Sequence, residues 1–471
     1  MFGDLFSLKP LPDAKEKVPS DRVPAEYAKW RWKMFMGMYL GYVVFYFTRK
    51  NESFVRPLLG SDLGLDIMQL GMLGTIMYIT YGVGKFLNGI LADRCNIRAF
   101  MAIGLMGAAL VNLAFPSSPS LICLYVLWGL NGIFQSMGFP PVAKGLVHWF
   151  APKERATKWT LWSSSHTCGA FLIGIIASWC LGNHLETISS WCLQHNLALF
   201  SSCCLFLQGL GWKLVFYISG SIALLTSIAL LFTLTDKPES VGLPKIEDYM
   251  NDKMPVKAES DMSHGEILKK YIFGNKFLWM LAFAYIFVYF VRFAALDWTT
   301  KFMVDCGYSH GAAAGYLVAM PLLGMPGGIV AGIIADKYFK GRCTPINIIY
   351  LVLLAVSAWL FYQSVLAHDT FMPYIYSAAI GFLVDGPQNL VGGVQTSRVT
   401  VQQAASAATG FTGMFGYLGA VLSGAGAAWI ITNYSWNGFF LSIVLASVIS
   451  IVLISFTAKQ EAVSEDSNGK V

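Results

Sequence analysis

Long apolar runs alternate with short polar breaks along almost the whole chain. Twelve runs approach or exceed the roughly 20 residues that a helix needs to cross a bilayer. They are 34–56, 68–91, 99–115, 121–147, 159–181, 213–235, 277–299, 311–335, 345–366, 372–395, 404–431 and 436–456. None shows the alternation of a barrel strand, and backbone groups in lipid must be satisfied inside the segment, so each span is predicted as a helix. One internal break is long and charged. Residues 236–276 carry Lys237, Lys245, Lys253, Lys257, Lys269 and Lys270, and they divide the spans six and six. The pattern therefore predicts an all-α polytopic membrane protein with two six-helix halves. Its parts are an N-terminal segment, 1–33, a first half, 34–235, the connector, 236–276, a second half, 277–456, and a tail, 457–471.

The halves repeat one another. Tyr42, Tyr46 and Arg49 recur as Tyr285, Tyr289 and Arg292, and Gly89, Ala92 and Asp93 recur as Gly332, Ala335 and Asp336, all at an offset of 243. Parallel repeats around an axis normal to the membrane are one way secondary transporters are built, with substrate bound near the midplane between them. Gly211–Trp212 matches Ser435–Trp436 at a shorter offset, 224. The difference reflects an extra segment, 182–211, after the fifth span.

Composition agrees. Hydrophobic residues make up 55% and charged residues 13%, against about 25% charged in a typical soluble chain. A soluble surface with so few charges would expose large apolar patches. The net charge of +6 is too small to argue for nucleic acid. Loops 116–120, 182–211, 367–371 and 432–435 lack Lys and Arg, whereas segment 1–33 holds seven. Both termini are therefore expected in the cytoplasm. Segment 1–33 has no short apolar core before a cleavage site, so the first helix is expected to stay in the membrane. The nine cysteines form no metal-like cluster. With no nucleotide loop and no nucleophile–base pair, neither an enzyme nor a metal or cofactor site is expected.

Arg49 lies inside an apolar span, where a charge is costly and marks a functional position by default. Tyr42, Tyr46 and Arg49 follow i, i+4, i+7 spacing and share one helix face. The second half repeats that face. Two guanidiniums on pseudo-symmetric helices would point at one central cavity, and the planar fork of Arg suits a phosphate. Snorkelling to the headgroups is the competing account.

Several motifs carry a family resemblance. GILADRCNIR at 89–98 and its second copy GIIADKYFKGR at 332–342 resemble the loop signature of the major facilitator superfamily. YFTRKN (46–51), YGVGKFLNG (81–89), HWFAPKERA (148–156), DKPESVGLPKIEDY (236–249), VRFAALDW (291–298) and TGFTGMFGYLG (409–419) resemble the organophosphate:phosphate antiporters. The likeness runs from about residue 28 to 456 and extends to a hexose-phosphate sensor branch. It implies that Arg49 and Arg292 bind the substrate phosphate, with Tyr42, Tyr46, Tyr81, Tyr289, Lys85 and His166 around it. His166, among Ser163, Ser164, Ser165 and Thr167, would hydrogen-bond the anion. Tyr417 matches a cavity tyrosine. Lys50 and Asp297 are implied to form a pair that opens and closes between the halves; a static pair is the alternative.

Two positions depart from the family. Many relatives carry a glutamate three residues before a GxPG-like bend; here GMPG is 324–327 and the matching position is Pro321. Asp385 stands where an uncharged residue is expected. Asp385, Gln388 and Asn389 could bind sugar hydroxyls, or Asp385 could balance cations. Gln135 and Asn131 are weaker polyol contacts. Gly410, Gly413, Gly416 and Gly419 are expected to allow close helix packing. Asp93, Arg94, Arg98, Asp336 and Lys337 form the cytoplasmic loop motifs, with Asp93 and Asp336 expected to pair with cations such as Arg98 or Lys340.

The resemblance and the charges together predict exchange of a sugar phosphate, glucose 6-phosphate first, for inorganic phosphate. The protein is expected in the plasma membrane, a bacterial inner membrane, as a monomer with lipid and these small molecules as its only partners. A sensor of external hexose phosphate and a proton-coupled carrier of another anion are the rival readings.

Overall fold

The computed structural model describes residues 7–93, 95–118, 120–182, 184–195, 197–250, 269–339, 341–396, 399–400 and 405–458. Among them every regular element is a helix. In chain order the main ones are α1 (Val23–Leu63), α2 (Ile67–Asp93), α3 (Ile97–Ala114), α4 (Leu121–Ser136), α5 (Phe139–Trp149), α6 (Pro152–Leu181), α7 (His184–Gln194), α8 (Ala198–Gly209) and α9 (Trp212–Thr233). They continue with α10 (Lys276–Asp305), α11 (His310–Phe339), α12 (Cys343–Leu366), α13 (Met372–Asn389), α14 (Ala405–Val421) and α15 (Ala427–Ser455). Wide-turn segments, Leu390–Gln395 and Leu422–Gly426, extend α13 and α14.

Local chemistry sets the ends. Asp66 and Gln69 cap α2 reciprocally, each side chain accepting from the other's backbone N–H at 2.7 and 2.9 Å, a box that satisfies two orphan donors. Asn96, Ser120 and Asn275 accept the first N–H groups of α3, α4 and α10. The fourth span is not one helix: α4 stops at Ser136 and α5 restarts with Pro140 and Pro141 in its first turn. Two prolines lack the N–H that would continue the ladder.

Nine stretches among the described residues are long and apolar enough to cross a membrane. One of them, Ala408–Ser455, is 48 residues long and breaks at Ser435 (φ 55, ψ −172), so it covers two predicted spans. The two spans outside the nine are α1 and α13. Arg49, Lys50 and Glu52 dilute the apolar character of one, and Asp385, Gln388 and Asn389 that of the other. The chain is a multi-pass membrane protein.

The helices form two compact units that do not follow the sequence halves. The first holds residues 7–52, 79–176 and 184–250. Within it α3 packs on α9. Met34, Met38, Tyr42 and Phe45 of α1 meet Trp149, Trp162 and Leu230 in one core. The start of the connector closes over this core: Tyr27 stacks on Tyr249 at 4.2 Å, and Val18 donates to the Gly242 carbonyl at 2.9 Å. Lys237 pairs with Asp13 at 2.6 Å, and that hydrogen bond holds the ammonium pKa above its usual value.

The second unit holds the described residues from 269 onward together with 53–78 and 177–182. The borrowed pieces are tied in by hydrogen bonds. Thr300 Oγ1 donates to the Ser53 carbonyl and Ala425 N to Thr75 Oγ1, at 2.6 and 2.7 Å. Glycines set the helix spacing here. A Cβ on Gly327 would lie 1.9 Å from the Phe382 carbonyl oxygen, and one on Gly381 1.9 Å from that of Met320, so α11 and α13 touch backbone to backbone. The predicted glycine row divides in two. Gly416 and Gly419 press against Tyr285 and Ile286 of α10, but Gly410 and Gly413 face open space. Only half of that row is packing surface: near Gly410 and Gly413 the contact with α10 is made by rings instead, Phe411 lying 4.9 Å and Phe415 5.6 Å from Trp279.

Candidate functional site

In the first unit α1 delivers Tyr42, Tyr46 and Arg49 on one face. The Arg49 guanidinium lies 4.3 Å from the Tyr81 ring centroid and 4.9 Å from that of Tyr46, within cation–π range. Arg49 Nε donates to Gln135 Oε1 at 3.2 Å. Gln135 in turn donates to Thr48 Oγ1 at 2.7 Å, and Asn131 donates to the Thr48 carbonyl at 2.8 Å. Asn112 reaches the same carbonyl at 3.1 Å and accepts from Asn51 at 2.7 Å. Asn51, Asn112, Asn131 and Gln135 are fully buried. Buried amides are costly unless bonded, and these satisfy one another while fixing α1 beside α3 and α4. Gln135 and Asn131, predicted as polyol contacts, thus hold Arg49 and its helix in place.

His166 sits on α6 against Tyr42, Trp162 and Tyr46, with ring centroids at 4.8, 5.0 and 5.4 Å. Its Nδ1 meets the Ser163 carbonyl. A carbonyl only accepts, so Nδ1 carries the hydrogen and Nε2 is left with a lone pair in the neutral ring. Lys85 is one turn from Tyr81; its ammonium lies 4.5 Å from the Phe139 ring centroid at the start of α5.

In the second unit Arg292 forms an ion pair with Asp385 of α13, both side chains mostly buried. Tyr285 donates to the Gln388 carbonyl at 3.0 Å. Tyr289 packs between Tyr285, at 4.6 Å, and Tyr417, at 5.9 Å. Gly324 and Gly328 leave room for this corner: a Cβ on Gly324 would lie 2.6 Å from Asp385 Oδ2, and one on Gly328 2.7 Å from Asn389 Nδ2. Asn389 is exposed. Gln388 Oε1 is buried with no hydrogen-bond partner among the described residues.

A third cluster lies in the second unit near the end of α10. Asp297 accepts from Tyr78 OH at 2.6 Å and Ser53 Oγ at 2.9 Å. Buried Arg56 lays its guanidinium 4.7 Å from the Trp298 ring centroid. Tyr78, three residues before Tyr81 on α2, turns to Asp297. Arg56, Ser53, Asn51 and Asn112 went unassigned. Arg56 was legible in part, being seven residues after Arg49. Lys50 is buried on the part of α1 that belongs to the first unit.

Of the loop residues, Arg98 is half-buried at the start of α3 and Lys337 lies 5.7 Å from the Tyr338 ring centroid. Arg94, Lys340 and the side chains of Asp93 and Asp336 lie outside the described residues. A cation that was not predicted, Lys144 of α5, pairs with buried Asp236 at 3.3 Å and donates to the Cys95 carbonyl at 2.7 Å.

The chain belongs to the major facilitator superfamily, whose family model matches residues 38–423. Its fold is that of a bacterial homologue of the human lysosomal transporter Spinster, with a TM-score of 0.69 at 15% identity, covering 92% of this chain and 97% of that one. A D-xylose–proton symporter gives 0.65 at 13% identity, covering 89% and 97%.

Within the superfamily it falls in the organophosphate:phosphate antiporter branch. It is 35% identical to the membrane sensor protein UhpC of Escherichia coli, over 95% of this chain and 96% of that protein. It is 33% identical to the glycerol-3-phosphate transporter of Bacillus subtilis, over 95% and 97%. A probable hexose phosphate transport protein of Chlamydia trachomatis is 32% identical over 96% and 97%.

Proposed function

We propose that this protein carries an external sugar phosphate, glucose 6-phosphate, across a bacterial plasma membrane in exchange for internal inorganic phosphate. It acts as a monomer with both termini cytoplasmic. The observation that carries the reading is the repeated face: Tyr42, Tyr46 and Arg49 on α1, Tyr285, Tyr289 and Arg292 on α10, each arginine held by buried polar or ionic partners. The names of the relatives support the substrate class.

In this reading both guanidiniums engage the phosphate and His166, Lys85, Tyr81 and Tyr42 complete its shell. Two like charges 4 Å apart at an effective dielectric of 20 repel by about 4 kcal/mol. A phosphate dianion between them reverses the sign, so the carrier changes orientation more readily loaded than empty. Asp385 is the stand-in anion on Arg292 and yields to the phosphate as it arrives. Gln388 and Asn389 then face the sugar. Lys50 and Asp297 form the pair that gates the external side.

The test is uptake of labelled glucose 6-phosphate into proteoliposomes. Uptake is expected to require phosphate inside. Uptake that follows a proton gradient and ignores internal phosphate would overturn the exchange. A sensor of external hexose phosphate is the second reading, favoured by the 35% identity to a sensor; specific binding with no exchange is its signature.

A further inference from the structure

The 182–211 segment, which the repeat lacks, forms a helical hairpin with inverted polarity. In a soluble hairpin the apolar side chains face inward. Here Ser189 and Ser201, both buried, bond hydroxyl to hydroxyl at 2.7 Å across the contact between α7 and α8, and the other buried side chains of α7 are Leu185 and Cys192. Most of the large apolar side chains point out. Leu199 is 82% exposed, Phe206 68%, Phe200 63%, Leu193 58% and Trp191 52%. Small and hydroxyl residues at a helix contact, with Leu and Phe outside, is the packing mode of helices in lipid.

We propose that α7 and α8 lie in the interfacial layer of the leaflet opposite the termini, with these side chains in the acyl chains. Three further observations favour lipid over a protein partner. First, the hairpin is tethered at both ends. Two residues join it to α6 and two to α9, and both neighbours are long and apolar enough to cross the membrane. Three Cα steps reach about 10 Å at most, so the base of the hairpin stays at the bilayer surface. Second, helices of 11 and 12 residues are about 17 Å long, half of a hydrocarbon core of about 30 Å. They can lie in the membrane but not cross it. Third, the segment has no Lys or Arg, and its one carboxylate, Glu186, sits at the hairpin base beside Gln208, whose Nε2 donates to it at 3.5 Å.

The test uses the full-length chain in proteoliposomes, depleted of native cysteines, with a nitroxide label at Leu199→Cys, Phe206→Cys or Glu186→Cys. Labels at 199 and 206 are expected to collide with oxygen, which concentrates in lipid, more often than with a water-soluble nickel chelate. The label at 186 should show the reverse order. Chelate-dominated collisions at 199 and 206 would overturn the proposal. Protection from both quenchers would overturn it too and point to a second copy or another protein on that face. A second variant, Leu199→Asp with Phe206→Asp, keeps the test open if labels perturb folding. It should stay monodisperse in detergent yet shift to the red, in vesicles, the emission of a polarity-sensitive fluorophore attached at Trp191→Cys; no shift counts against the proposal.

Discussion

Arg292 and Asp385 are ion-paired inside the second unit, on α10 and α13. Arg49, at the equivalent place in the repeat, is held by the amide of Gln135 and the rings of Tyr46 and Tyr81. The repeated guanidiniums therefore sit in unequal surroundings. Asp385→Asn should raise the apparent affinity for inorganic phosphate, because the anion no longer displaces a carboxylate. Arg292→Lys keeps the charge and loses the two-pronged fork, and should weaken binding about tenfold, roughly 1.4 kcal/mol. Equilibrium binding to both variants checks this. An unchanged or lowered phosphate affinity in Asp385→Asn removes the stand-in role.

His166 carries its hydrogen on Nδ1, bonded to the Ser163 carbonyl. Donating from Nε2 to a phosphate therefore requires an added proton. Calorimetry of phosphate binding in buffers of different ionisation enthalpy should show more proton uptake for the wild type than for His166→Gln. Equal uptake would take His166 out of the anion shell.

Glycine substitutions should separate by the backbone each one meets. Gly419→Ala puts a Cβ 1.9 Å from the Ile286 carbonyl oxygen, and Gly327→Ala does the same against Phe382. Backbone cannot rotate away, so both should fail to give folded protein. Gly410→Ala and Gly413→Ala meet nothing within 4 Å and should be neutral, or stabilising by up to about 1 kcal/mol, since alanine is the better helix former. Monodispersity and thermal melting in detergent distinguish the two classes.

Gly211 and Ser435 both adopt positive φ, 54° and 55°, each just before the tryptophan that opens the last helix of its half. A serine there carries strain of about 1–3 kcal/mol. Ser435→Gly should raise the melting temperature, with a gain of about 1 kcal/mol once the entropy of glycine is counted. A lower melting temperature would mean that the serine side chain itself stabilises the turn.

The helical ranges and the arginine repeat were legible in the sequence, since apolar run length and a constant offset need no contact information; the division into compact units was not, because residues 53–78 and 177–182 join the second one. The break in the fourth span was legible too, in Pro140 and Pro141, but the apolar run concealed it. Contacts between distant helices were not legible. Nothing in the spacing says that Asp385 meets Arg292 or that Asn51, Asn112 and Asn131 gather round Thr48. Segment 182–211 was legible as an extra, half-apolar external segment, but its hairpin was not. Its meaning lies in which side of each helix is buried.

The central claim is that Arg49 and Arg292 together hold the phosphate. The direct measurement is phosphate-for-phosphate exchange in proteoliposomes carrying wild type, Arg49→Ala or Arg292→Ala at equal membrane density. Either substitution should abolish exchange and phosphate binding alike. Exchange at wild-type rate in either variant would contradict the claim.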